Sequence, residues 1–179
     1  GRELARAPAP ARHARPTPLL EVDGLSWTDA DRRRPALDHV CCSVHEGQIV
    51  GLFGLQGSGT SELLQALFGA HGPIGGARVR VAGQRHPIVS PAHALARGVV
   101  LLGNDRNLSV LGPLSVLHNV TLSRLEQFSP GGWLRLARER EAAERVTREL
   151  ELHAPSLRAE ACQLSGGNQQ KVALARCLL

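Results

Sequence analysis

One junction constrains the fold of this chain more than any other. An apolar run from Gln48 to Phe53 passes without a break into Gly54-Leu55-Gln56-Gly57-Ser58-Gly59-Thr60-Ser61, and an apolar-periodic segment follows to about Phe68. The run has the length and character of a buried strand. The segment after it places Leu63, Leu64, Leu67 and Phe68 on one helical face. A strand, a glycine-rich turn and a helix in that order form the frame of a phosphate-binding loop. Glycines let the backbone adopt conformations closed to other residues. Successive N–H groups can then face an anion at the positive end of a helix. The usual pattern ends in Gly-Lys-Ser/Thr, but here Thr60 stands at the lysine position. Losing that charged hydrogen bond costs about 1.5–3 kcal/mol of phosphate binding. Ser61 keeps the hydroxyl that can ligate Mg2+. The loop is therefore expected to bind nucleotide weakly and to catalyse poorly. By itself it is also compatible with an ordinary glycine turn.

A second glycine-rich helix start lies near the end, at Leu164-Ser165-Gly166-Gly167-Asn168-Gln169-Gln170-Lys171. Leu164 is an apolar anchor, Ser165 offers a hydroxyl, and Gly166 and Gly167 allow a phosphate to approach the backbone amides closely. The helix continuing from Asn168 to Leu179 adds its positive end. Lys171 is the only lysine in the chain. The plainer alternative is a helix that merely begins at two glycines.

Between the two motifs the chain predicts alternating strands and helices, then helices alone. Strands are expected at 19–25, around 40–44, at 48–53, at 77–82 and, buried, at 99–102. Ser90 and Pro91 have the chemistry of an N-cap and first helical residue, and Gly98 that of a helix stop. Residues 104–114 form a polar loop. Ser115 to Leu125 and Leu134 to Leu152 are expected to be helical, the second with Arg/Glu pairs at i,i+3 and i,i+4 on a solvated face. The first 18 residues, rich in Ala, Pro and Arg, are an extended linker. The remainder is long enough for one core.

Composition excludes several functions. The formal net charge is +5, yet aromatic residues make up 3% of the chain, and the arginines are dispersed rather than gathered on a stacking surface. Nucleic acid is therefore not expected as a partner. Cys41, Cys42, Cys162 and Cys177 lack metal-site spacing and are expected to be buried small apolar residues. The eight histidines contain no His-x-x-x-His pair. No apolar run approaches eighteen residues, the N-terminus has no signal-peptide pattern, and methionine is absent altogether. The chain is expected to be an internal piece of a longer protein or a truncated gene model.

The order of phosphate loop, second strand, helical insertion and Leu164–Lys171 signature resembles an ABC-type ATP-binding cassette spanning residues 19–179. Such a cassette is an α/β P-loop NTPase with a helical signature subdomain, here at about 112–163. The wording narrows the resemblance. Gly54-Leu55, Gly57-Ser58-Gly59, Ser61-Glu62-Leu63, Ser90-Pro91, Ala94-Leu95, Gly98 and Asp105-Arg106 are similar to the degenerate second cassette of tandem importers of the ribose/galactose/xylose type. Gly1-Arg2-Glu3-Leu4 looks like the close of a first cassette before an interdomain linker.

The resemblance implies ATP and Mg2+ as cofactors, with Gly54, Gly57, Ser58, Gly59, Thr60 and Ser61 around one nucleotide. Trp27 is placed to stack on adenine, with simple packing as the alternative. Asn104 stands where the family keeps a glutamine or glutamate watching Mg2+. Ser165, Gly166, Gly167 and Asn168 would act in trans on the γ-phosphate of ATP held by a partner cassette of the same longer chain. No catalytic residue is expected within 1–179. The acidic strand, catalytic glutamate and switch histidine of the family would follow Leu179, so this stretch alone is not expected to hydrolyse ATP. Relatives commonly carry arginine where Thr60 stands, which makes this loop poorer still.

The other implied partners are membrane permease subunits and a periplasmic or lipid-anchored solute-binding protein. The implied location is peripheral, on the cytoplasmic face of the bacterial inner membrane. The alternatives are a non-catalytic regulatory nucleotide-binding half, a non-functional gene fragment and, more remotely, a soluble P-loop kinase, which would require the missing lysine.

Overall fold

A computed structural model describes residues 17–29, 35–87, 89–103 and 109–179. The chain divides into two compact units, residues 1–99 and 100–179.

The first unit is built on a four-stranded antiparallel sheet. Its strands are β1 (Leu20–Trp27), β2 (Leu37–Val44), β3 (Arg78–Val81) and β4 (Gln84–Arg85), in the order β2-β1-β3-β4. Strict alternation along β1 would send Val22 and Leu25 to opposite faces, yet both are buried in one cluster with Leu37 and Val79. Two bulges resolve this. Between the pairs Val22↔Cys42 and Leu25↔Val40, β1 advances three residues against two in β2, and between Leu25↔Val40 and Trp27↔Leu37 the excess is reversed. Gly24, at φ 71°, occupies the first bulge and His39, at φ 47°, the second. Each extra residue flips the strand's facing, and together they restore the register. On the solvent face the directly paired residues Asp23 and Arg78, and Glu21 and Arg80, form ion pairs of 3.4 and 3.8 Å. Both are exposed and contribute little.

Helix α1 (Thr60–Phe68) lays Leu63, Ala66 and Leu67 on this sheet cluster. Leu64, expected on the core face, is instead 48% exposed. The helix stops at Gly69, where Ala70 N–H returns to Gln65 O at 2.9 Å. Helix α2 (Pro91–Ala96) begins as its sequence predicts, with Ser90 Oγ accepting from His93 N–H at 3.3 Å. It ends with Val99 N–H on Ala94 O and Gly98 N–H on Leu95 O, both at 3.0 Å, the paired bonds of a Schellman stop.

Two expected strands are not formed. Residues 48–53 and 99–102 carry no ladder, and Ile49 and Phe53 are 96% and 99% exposed. A strand is held by its neighbours, and among the described residues neither run is paired in the sheet, whose order is β2-β1-β3-β4.

The second unit is helical. Helix α3 (Val116–Thr121) is capped by Ser115, whose Oγ accepts from His118 N–H at 3.2 Å. The continuous helix expected over 115–125 instead tightens into a 3₁₀ turn at Leu122–Arg124 before the short α4 (Leu125–Phe128). Helix α5 (Leu136–Glu149) and helix α6 (Gly166–Leu178) complete the unit. Val116, Val120, Ala143, Val146, Val172 and Ala175 interlock at its centre. Asn119, fully buried, ties the unit together. Its Nδ2 donates to the carbonyls of Leu111, Leu114 and Ser115 at 2.9–3.1 Å, and its Oδ1 accepts from Leu111 N–H at 2.8 Å. Arg176 of α6 donates to Asn119 O at 2.7 Å and to Asn119 Oδ1 at 3.0 Å.

The Arg/Glu face of α5 is only partly solvated. Arg140 and Glu144 pair at 2.7 Å in water, but Glu139 turns inward and is 1% exposed. Its Oε1 accepts from Thr121 Oγ1 at 2.7 Å, while Oε2 has no partner among the described residues. The cysteines also depart from expectation. All four are free thiols; Cys41 and Cys162 are exposed, and Cys42 and Cys177 half-buried. Adjacent strand residues face opposite ways, so only one of Cys41 and Cys42 can point to the core.

Candidate functional site

Two glycine-rich helix starts carry the site residues, one in each unit. In the first, the turn over 54–59 is closed by Ser58 N–H on Leu55 O at 2.9 Å, and Leu63 N–H on Gly59 O at 2.8 Å opens α1. Gly59 sits at φ 91°, and a Cβ there would lie 2.5 Å from the backbone oxygen of Ala36. Both conformation and space therefore exclude any other residue. At Gly54 a Cβ would fall 2.3 Å from Ser58 Oγ, because the loop curls back over its own start. No side chain caps α1, and Gln56, Gly57, Ser58 and Ser61 around its start are exposed. Thr60 is half-buried as the first helical residue and brings a methyl and a hydroxyl where an ammonium would stand.

Trp27 reaches this loop through the backbone. Its carbonyl accepts from Ala36 N–H at 2.9 Å, and Ala36 O is the atom packed against Gly59. One face of the Trp27 indole is covered by the His71 ring, 3.9 Å away and 14° from parallel. Asn104, with Asp105 and Arg106, lies outside the described residues.

The second start, at α6, is more fully organised. Leu164 is buried in the helical core, as its place before the glycines suggested. Ser165 occupies the N-cap position but makes no side-chain cap bond, so the amides of the first turn stay open. The hydroxyl instead accepts from Asn168 Nδ2 at 3.0 Å. Asn168 Oδ1 accepts from the backbone N–H of His153 at 3.0 Å. Lys171 donates to Glu151 O at 2.7 Å, and Gln169 Nε2 to Leu164 O and Ala161 O at 3.1 and 3.2 Å. Every polar side chain from 168 to 171 except Gln170 thus braces the loop. The helix start opens on a cleft of about 530 Å³ whose walls include Leu102, Val110, Gly167, Lys171 and Leu174.

Sequence reasoning missed these braces. Lys171 stood out only as the sole lysine, and its target is a backbone carbonyl, which no residue type advertises. The half-buried guanidinium of Arg176, its pKa lowered by desolvation, was equally unmarked. No group of three or more His, Cys, Asp or Glu side chains suited to a metal occurs among the described residues. The side chains of residues 54–61 offer only neutral oxygens, so a metal held there through Ser61 would take charged ligands from phosphate and the rest from water.

Uncapped, glycine-rich helix starts are the kind of place that suits an anion, and here they occur in a chain that mixes helices with a sheet. A family model described as ABC transporter matches residues 37–179. The chain is 41% identical over 168 residues to the ribose import ATP-binding protein of Jannaschia sp. (strain CCS1), covering 93% of this chain and 31% of that protein. It is 36% identical over 181 residues to the xylose import ATP-binding protein of Burkholderia ambifaria, covering 100% of this chain and 35% of that one. It therefore spans about a third of the length of these relatives. An ATP-binding cassette solved as a dimer in a post-hydrolysis state with ADP and Pi superimposes with a TM-score of 0.70 at 24% identity, covering 89% of this chain and 68% of that one. The chain belongs to the ABC transporter family, and its fold is that of an ABC ATP-binding cassette.

Proposed function

We propose that this chain is part of the ATP-binding subunit of a bacterial importer for a sugar or a related small polar solute, and that it works mainly in trans. Residues 19–179 are read as one cassette, with 112–163 as its helical signature subdomain and 1–18 as a linker. The observation that carries this is the difference between the two helix starts. At α6 a braced serine and uncapped amides are ready for a phosphate, whereas at α1 the residue that should neutralise the phosphates is Thr60. The ribose and xylose import functions of the two relatives support the solute class.

In this mechanism a partner cassette seats ATP. Ser165 and the amides of Gly166, Gly167 and Asn168 receive its γ-phosphate, stabilising charge by oriented dipoles that need no reorganisation. The Thr60 loop faces the partner's signature and holds nucleotide weakly through Gly54, Gly57, Ser58, Gly59 and Ser61, with Trp27 beside the base and Asn104 near the metal. Mg2+, when bound, neutralises phosphate charge, and Ser61 is the residue of this chain that would ligate it. The remaining partners are permease subunits and a solute-binding protein, and the chain sits on the cytoplasmic face of the inner membrane. Among the described residues no helix is long and apolar enough to cross a membrane.

The test places Ser165→Arg and Thr60→Ala in a reconstituted importer containing this chain and follows ATP hydrolysis and solute uptake. Arginine at Ser165 fills the phosphate position and should lower both activities by about 10²-fold or more. Thr60→Ala should change them less than about threefold, since it removes no charge. Near-normal uptake with Ser165→Arg would overturn the proposal, and an equal loss with Thr60→Ala would move the working site to α1.

A further inference from the structure

The start of α6 is pinned to the turn that ends α5, and the pin has a polarity. The His153 backbone amide, 3.0 Å from the Asn168 side chain, can only donate. The atom facing it is therefore the amide oxygen, which fixes the other atom as NH2. That NH2 donates to Ser165 Oγ at 3.0 Å. The Ser165 oxygen is an acceptor in this contact, and among the described residues nothing accepts its hydroxyl proton.

Resting on the trans reading above, we infer that the side chain of Asn168 positions Ser165 rather than binding nucleotide itself, its backbone amide keeping the role given there. It holds the Ser165 hydroxyl as a donor, with the proton left for an anionic oxygen arriving from outside. The Asn168 oxygen and one of its two side-chain N–H groups are thereby engaged within the chain. The brace passes through a backbone amide of the α5–α6 turn and is independent of the identity of the His153 side chain. Lys171, bonded to Glu151 O at 2.7 Å, holds the same turn from one helical turn further along.

Asn168→Asp tests the polarity. Aspartate is nearly isosteric and still accepts from His153 N–H, but its second oxygen can only accept. It takes the Ser165 proton and turns the hydroxyl inward. In a reconstituted importer containing this chain, kcat for ATP hydrolysis should fall about 10²-fold, the typical loss of one transition-state donor, with KM for ATP and the melting temperature little changed. Ser165→Ala should fall by the same factor, and the double variant no further than either single one, because both remove one hydrogen bond. Asn168→Ala, which neither donates nor accepts, frees the hydroxyl to rotate and should lie between wild type and Ser165→Ala.

Losses that multiply in the double variant, with a raised KM, would mean that the aspartate acts by repelling phosphate charge, and would overturn the inference. Wild-type turnover in both Asn168 variants alongside a deep loss in Ser165→Ala would overturn it too, leaving the trans reading intact. Wild-type turnover in Ser165→Ala would remove the trans reading itself.

Discussion

His86 shows how far one side chain's setting can depart from its sequence. It follows the two-residue strand β4, between Arg85 and Pro87, yet it is 3% exposed and stacked on His93 with ring centroids 5.5 Å apart. The Nδ1 atoms of both rings are buried without a partner among the described residues. Burial, then the His93 imidazole, hold the His86 pKa below its ordinary value, with Arg97 adding a small push the same way and a hydrogen bond to the Leu67 backbone partly opposing. The folded chain resists a proton that the unfolded chain accepts, so stability is complete above the unfolded pKa of about 6.5 and declines as the pH falls below it. The melting temperature should drop between pH 7 and pH 5, and His86→Gln should flatten that slope. An unchanged slope would place the acid sensitivity elsewhere. Little of this was legible in advance, because one histidine among eight carries no mark of burial. The Ser90 cap was legible, because an N-cap is satisfied within four residues of itself.

Helix ends repeat that division at the scale of elements. Gly69 and Gly98 stop α1 and α2 where glycine is expected, but α5 stops at Glu151. There Leu152 N–H bonds Thr147 O at 2.9 Å and Glu151 N–H bonds Arg148 O at 3.0 Å, while Glu151 is held at φ 49°. A side chain in that region is strained where glycine is not. Glu151→Gly should therefore stabilise the chain by about 0.5–1 kcal/mol, or about 1–4 °C in a thermal melt. The Lys171 contact is to the Glu151 carbonyl and survives the change. A loss of stability would show that the carboxylate contributes more than the strain costs. The strand bulges at Gly24 and His39 were likewise unreadable: alternation alone would have separated Val22 from Leu25, and only cross-strand pairing demanded that the register be reset.

Across the whole molecule, stability resides in two separate clusters, and the apolar runs at 49–55 and 99–102 add nothing to either. Phe53→Ser should therefore cost less than about 0.5 kcal/mol in a denaturant titration of this chain. Leu25→Ala, at 0% exposure in the sheet cluster, should cost about 2–5 kcal/mol. Equal costs would show that the Phe53 run is packed.

What the sequence determined by itself is what short-range chemistry decides. That covers the helix start capped by Ser90, the glycine turn that opens α1 and the missing ammonium at Thr60. Each depends on residues a few places apart. Tertiary structure alone decided which polar groups face each other across the chain: Asn168 with His153, Lys171 with Glu151 and Arg176 with Asn119. It also decided that Glu139 points inward, and that two strand-like runs go unpaired. Hydrogen bonds and strand ladders need partners whose distance in sequence no local pattern encodes.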